Sequence, residues 1–265
     1  MIDTHCHIDD PRYTADLEAV IARQKDGGVE AILVPGVNLE SCQTVPAVCS
    51  RFPGYLYPAL GLHPEDVQAD YKQVLAHIHD TVFHYSELFP ESSPLVAIGE
   101  IGLDYHFSTE FKNEQHLAFR EQLDWALTLG LPVMVHSRDA TEDTLRIIRE
   151  YHAKSGGQLR GVMHCFSGSR ETANEYIRLG WKLGIGGVLT FKNSKLSETL
   201  RDIPLSSLVL ETDAPYMAPV PHRGETNESR WMTYVAQKLS EVYQVPKKDI
   251  FESTKCTSKA LFCIK

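Results

Sequence analysis

His5, His7, His63, His136 and His164 each sit at the close of a short apolar run, as do Glu100, Glu211 and Asp213. Imidazole nitrogens combined with carboxylate oxygens are the ligand set of zinc, manganese, iron or nickel, whereas magnesium and calcium prefer all-oxygen sites. Side chains two apart on a strand point the same way. In "MIDTHCH" that spacing turns His5 and His7 toward one face and Cys6 toward the other, and Glu211 and Asp213 repeat it. One histidine at a strand end is commonly a satisfied polar residue. Several imidazoles and carboxylates on separate strands are costly to bury unless paired or metal-bound, so together they read as a metal site. His77, His79, His84, His116 and His152 fall in helical patterns and read as helix-face residues, while His106 and His222 fall in loops.

The elements that carry these groups follow a regular rhythm. Apolar runs "MIDT", "EAILVPG", "YLYPALGLH", "LVAIGEIGLD", "PVMVHS", "GVMHCFSG", "KLGIGGVLT" and "LVLETDAP" alternate with helical patterns. The helices are predicted over 14–26, 40–51, 70–88, 113–129, 140–153, 170–179, 195–202, 230–243 and 247–259. Near-continuous apolar strands alternating with helices indicate a parallel sheet covered by helices. Eight such units in 265 residues predict an α/β fold, the (β/α)8 TIM barrel, as a single domain over 1–265. An open doubly wound sheet is the runner-up, weakened because no GxGxxG follows the first strand. "GIGGV" at 184–188 lies in a strand pattern and predicts close backbone approach. In a barrel the C-terminal strand ends share one rim, where the fourth strand is expected to end at Glu100 and the fifth at His136.

The net charge is −9, with no long Lys/Arg run. Any polyanion must then be held at a local positive spot, since coating nucleic acid calls for a basic face. No run approaches the roughly 18 apolar residues of a membrane helix, and the start lacks a signal-peptide pattern. Six cysteines without CxxC spacing read as reduced thiols. A cytoplasmic protein with no membrane contact and no obligate protein partner is expected.

"DTHCH", "GLHP", "GEIGLDY", "PVMVHSRDA", "HCFSG" and "ETDAPY" occur in the order seen in TatD-type metal-dependent deoxyribonucleases, and the resemblance covers nearly the whole chain. It implies a TIM barrel that hydrolyses phosphodiester bonds in DNA, as an exonuclease, on single strands or frayed ends. It implies two divalent metal ions, zinc, manganese or magnesium, at the C-terminal rim. His5 and His7 resemble the histidines of the first ion, completed by Asp213. Glu100 resembles the bridging carboxylate, and His136 and His164 resemble ligands of the second ion. A glutamate rather than a carboxylated lysine in the bridging place favours the nuclease branch of these barrels.

Asp213 is the candidate general base and, with Glu100, the catalytic pair. His63, Arg138 and Arg223 are candidate substrate contacts, arginine being suited to bidentate phosphate recognition. Glu211 is the candidate that orients a ligand histidine from behind. Ser167, beside His164, is not needed as a nucleophile. One departure stands out: where the family continues with basic residues and then Asn-Glu-Pro, this chain reads "ETNES", with Glu225 and Thr226 in place of the basic pair. That change bears on substrate grip, and it keeps open a hydrolase of amides, lactones or small phosphoesters on the same scaffold. A non-catalytic barrel that binds a partner is opposed by the intact ligand positions.

Overall fold

The computed structural model describes residues 1–264. Among them, eight strands form one sheet: β1 (Ile2–Asp3), β2 (Ala31–Pro35), β3 (Leu56–Leu60), β4 (Ala97–Asp104), β5 (Val133–Arg138), β6 (Gly161–Met163), β7 (Lys182–Ile185) and β8 (Leu208–Leu210). Their hydrogen-bonded order is chain order. The seam between last and first strands closes too: Thr4 N–H donates to Leu210 O at 3.0 Å, and Cys6 bridges Ala214 in parallel. This is the (β/α)8 barrel that the alternation predicts. Every residue of β2, β3 and β4 is buried, as strands covered on both faces require. No helix among the described residues is long and apolar enough to cross a membrane.

The backbone divides into two compact units. The first comprises Met1–Val34, Cys165–Arg178 and the chain from Lys182 onward. It contains β1, β7, β8 and most of β2, with helices Leu17–Asp26, Arg170–Arg178, Met232–Tyr243 and Lys247–Phe262. Met232, Val235, Ala236 and Leu239 are buried, the i, i+3, i+4, i+7 stripe of an amphipathic helix. Its least obvious support is Asp3, a fully buried carboxyl. Asp3 Oδ1 accepts from Thr212 N at 3.0 Å and His5 N at 3.2 Å, and Oδ2 accepts from Thr212 Oγ1 at 2.6 Å. Burial pushes this carboxyl up to about 7. The same hydrogen bonds offset the cost of placing it there, and they tie the backbone beyond β1 to the backbone beyond β8.

Asn227 extends that tie. Its Nδ2 donates to Thr212 O at 3.0 Å and Tyr216 O at 2.7 Å, while its Oδ1 accepts from Glu228 N at 2.9 Å. The glycine-rich stretch makes the close approach predicted, since a Cβ on Gly184 would stand 2.0 Å from Glu211 Oε2 and one on Gly187 would stand 1.9 Å from Met217 O; its strand, however, stops at Ile185, and Gly187–Thr190 turns as a short helix.

The second unit comprises Pro35–His164 with Leu179–Trp181. It holds β3 to β6 and helices Ser41–Ser50, Tyr71–Phe83, Lys112–Leu129 and Thr141–Lys154. The longest of these, Lys112–Leu129, ends at Gly130 with φ 67°, the left-handed cap that glycine adopts without a Cβ penalty. Two glutamines on its buried face, two turns apart, grip strand ends as amides do. Gln122 Oε1 accepts from Leu62 N at 2.7 Å and Nε2 donates to Leu62 O at 3.2 Å. Gln115 does the same to Asp104, at 3.0 Å for both bonds. His116 is not the plain helix-face residue its pattern suggests, because its Nε2 lies 2.5 Å from the Tyr105 hydroxyl.

Candidate metal centre

In the second unit the donors gather on one carboxylate oxygen. Glu100 Oε1 lies 3.2 Å from His136 Nδ1, 3.6 Å from His63 Nε2 and 3.9 Å from His164 Nε2. Donor atoms of His63, Glu100 and His136 all fall within 4.8 Å of one another. Glu100 is only 4% exposed. A buried carboxylate ringed by imidazoles has the chemistry of a divalent-cation site.

The placement of Glu100 corrects the expectation that its strand ends there. β4 continues to Asp104, and its register against β5 shifts between Ile98 and Ile101. Such a bulge re-aims a side chain without ending the strand. Likewise β5 runs past His136 to Arg138. His63, expected as a substrate contact, stands among the donors. Its Nδ1 accepts from Glu65 N at 3.2 Å, capping the short turn Pro64–Asp66.

Asp104 belongs to this candidate site although the sequence does not single it out. Its Oδ2 lies 2.7 Å from His136 Nε2, so one ring nitrogen faces Glu100 and the other a second carboxylate. Metal-ligating histidines characteristically hold their other nitrogen this way, which fixes ring orientation and raises basicity. Burial works against a charge on His136, but the bonds to Asp104 and Glu100 outweigh it and push its pKa up to about 9. Burial also raises Asp104, yet its bond to His136 and the backbone N–H of His106 leave it below the usual carboxylate range. The missed signal was present: positions 100, 102 and 104 alternate onto one face of a strand.

In the first unit the donors gather on Asp213. Its Oδ1 lies 3.6 Å from His7 Nε2 and 3.9 Å from His5 Nε2. The rings of His5 and His7 meet edge to face, 5.1 Å apart. Asp213 takes a left-handed φ of 57°, a conformation that aspartate tolerates better than most residues, and its N–H donates to His5 O at 2.9 Å. Cys6, between the two histidines, is buried as expected for a side chain turned the other way. Glu211 Oε1 accepts from the backbone N–H of Cys165 at 2.6 Å. It thus grips the peptide that follows His164.

The candidate substrate arginines both lie on aromatic rings. Arg138 stands 5.0 Å over Phe107 in the second unit, and Arg223 stands 3.9 Å over Phe191 in the first. Glu225 binds its neighbour, with Oε1 3.1 Å from His222 Nδ1. His222 itself stacks on Trp231 at 3.9 Å.

A (β/α)8 barrel bearing imidazole–carboxylate groups that could hold divalent ions is the architecture of a metal-dependent enzyme, and the relatives of this chain place it among the metal-dependent hydrolases. Residues 2–263 match the family described as TatD related DNase, and the chain belongs to that family. It is 37% identical over 265 residues to the uncharacterized metal-dependent hydrolase YabD of Bacillus subtilis, covering 100% of this chain and 99% of that protein. The crystal structure of the TatD homologue YjjV from Escherichia coli superimposes with a TM-score of 0.90 at 32% identity, covering 100% and 98% of the two chains. A TatD family hydrolase from Entamoeba histolytica, at 20% identity and a TM-score of 0.85 over 100% and 98%, shares the fold.

Proposed function

We propose that this protein hydrolyses phosphodiester bonds in DNA, as an exonuclease on single strands or frayed ends, with two divalent ions bound. His5, His7 and Asp213 are the ligands proposed for one ion. Glu100, His136 and His164 are those proposed for the other, with His63 close enough to share that role. When bound, such ions lower the pKa of water and hold the attacking and leaving oxygens of an in-line displacement. The observation that carries the proposal is the gathering of imidazoles on a single carboxylate oxygen in each unit, on a chain of the TatD related DNase family.

The chain's own groups have separable tasks. Asp213 takes the proton of the attacking water as general base. Asp104 holds the His136 ring from its far side. Glu211 fixes the backbone next to His164. Arg138 and Arg223 grip phosphate, which lets a protein of charge −9 hold a polyanion locally. A cytoplasmic location belongs to the same reading.

The test is metal analysis of the purified protein, then digestion of end-labelled single-stranded DNA after chelation and add-back of zinc, manganese or magnesium. Shortening from one end, restored by metal, is expected. No product with any metal would remove the nuclease assignment. A second reading, hydrolysis of an amide, lactone or small phosphoester, is favoured by Glu225, whose carboxylate occupies a place where the family carries positive charge. Parallel assays on dipeptides, lactones and aryl phosphates separate the two.

A further inference from the structure

Phe107 is the most exposed large apolar side chain among the described residues, at 73%. A lone exposed ring is ordinary; the surroundings of this one are not. The Arg138 guanidinium lies 5.0 Å over it, and the His106 ring meets it edge-on at 4.8 Å. His106 is itself held, by Asp139 at 2.9 Å through Nδ1 and by Asp104 at 2.8 Å through its backbone N–H. The ring also lines a cleft of about 250 Å³ whose apolar walls include Pro64, Val67 and Phe111, with Glu65, Gln68 and Ser108 at polar positions and Arg138, over the ring, as the cation nearest Phe107. Asp104, the partner of His136, lines the same cleft.

A flat apolar wall, polar groups around it and a cation over the ring match one kind of occupant: an aromatic heterocycle attached to a phosphate. We infer that Phe107 is the stacking platform for one nucleobase of the DNA substrate, with Arg138 holding the neighbouring phosphate. The inference rests on the nuclease reading and deepens it. Stacking on an aromatic side chain is indifferent to base identity because every base has a π-face. It also demands an unstacked base, so the platform selects single strands over an intact duplex. The loop that carries it is anchored at Asp104 by Gln115, so the platform keeps a set distance from the donors around His136.

The test uses metal-loaded protein and a trideoxynucleotide with hydrolysis-resistant phosphorothioate linkages, intact or with each base removed in turn. Binding is read by fluorescence anisotropy, and turnover is read on the ordinary linkage. Phe107→Ala should bind the intact trinucleotide about tenfold to a hundredfold more weakly, the range set by one lost base stack. Phe107→Trp should bind as the wild type does. Removing one particular base should cost the wild type a similar factor and cost Phe107→Ala nothing further. An alanine variant with wild-type affinity, or one that still loses affinity on removal of that base, overturns the platform while leaving the nuclease reading intact. A wild type that neither binds nor cuts the intact trinucleotide removes both.

Discussion

The Glu100 group and the Asp213 group solve one problem in two ways. Glu100 lies within an eight-residue strand, and its nearest histidine partner is arranged by side chains: His136 is gripped between Glu100 and Asp104. Asp213, His5 and His7 lie beyond strands of only three and two residues. There the arranging is done by hydrogen bonds to backbone, through Asp3, Thr212 and Asn227. A long bulged strand supplies stiffness by itself. A short strand leaves its ligands on loop backbone, which must be stapled by buried polar groups. Substitutions around Glu100 should therefore act on metal chemistry, whereas substitutions in the staples behind Asp213 should act on folding.

The largest expected effect is that of Glu100→Ala. It removes the oxygen on which three imidazoles converge, and both hydrolysis and metal content should fall to background. A variant that cleaves normally without bound metal would sink the scheme. Asp213→Asn comes next. It keeps the shape but loses the base and weakens one proposed ligand, so with metal held saturating kcat should fall about 10²- to 10⁴-fold, the usual worth of general base catalysis; a kcat restored to the wild-type value by added metal would leave Asp213 as a ligand only. Asp104→Asn should weaken metal affinity about 10- to 100-fold with little change in melting temperature, measured by competition with a chelator.

Thr212→Val is the counterpart in the first unit and the smallest effect on chemistry. It strips a hydroxyl donor from buried Asp3, so it should cost about 1–3 kcal/mol of stability, seen as a lowered thermal midpoint with metal affinity nearly unchanged. If Asp104→Asn instead unfolded the protein and Thr212→Val instead released metal, the contrast between the two groups would be reversed.

Much of this was legible before any coordinates. The apolar runs hold the strands and most predicted helices formed, because parallel strands buried on both faces leave an unmistakable alternation; the helix expected over 70–88 instead breaks at His84 into Tyr71–Phe83 and Tyr85–Leu88. "KNEQHLAFREQLDWALTL" reads as a helix, and it is one. What stayed hidden was what depends on distant partners. Asp3 and Thr212 are 209 residues apart in the chain, and nothing local marks either as half of a pair. Nothing local marks Gln115 and Gln122 for burial either, since glutamine is mostly an exposed residue. Glu100 was placed at a strand end because a bulge leaves no compositional trace. Asp104 was passed over because the aspartate of "GLDY" reads as the polar start of a loop.

Gln115 and Gln122 have a consequence for change over time. Each clamps main chain, not a particular side chain: Leu62, two residues beyond β3 and just ahead of His63, and Asp104, the last residue of β4, ahead of the segment with Phe107. The anchors lie outside the loops they serve. Loop sequence beyond His63 on one side and beyond Asp104 on the other can therefore drift, lengthen or be swapped for another specificity while the donors stay in place. One helix thus separates the part of the protein that is free to vary from the part that is not.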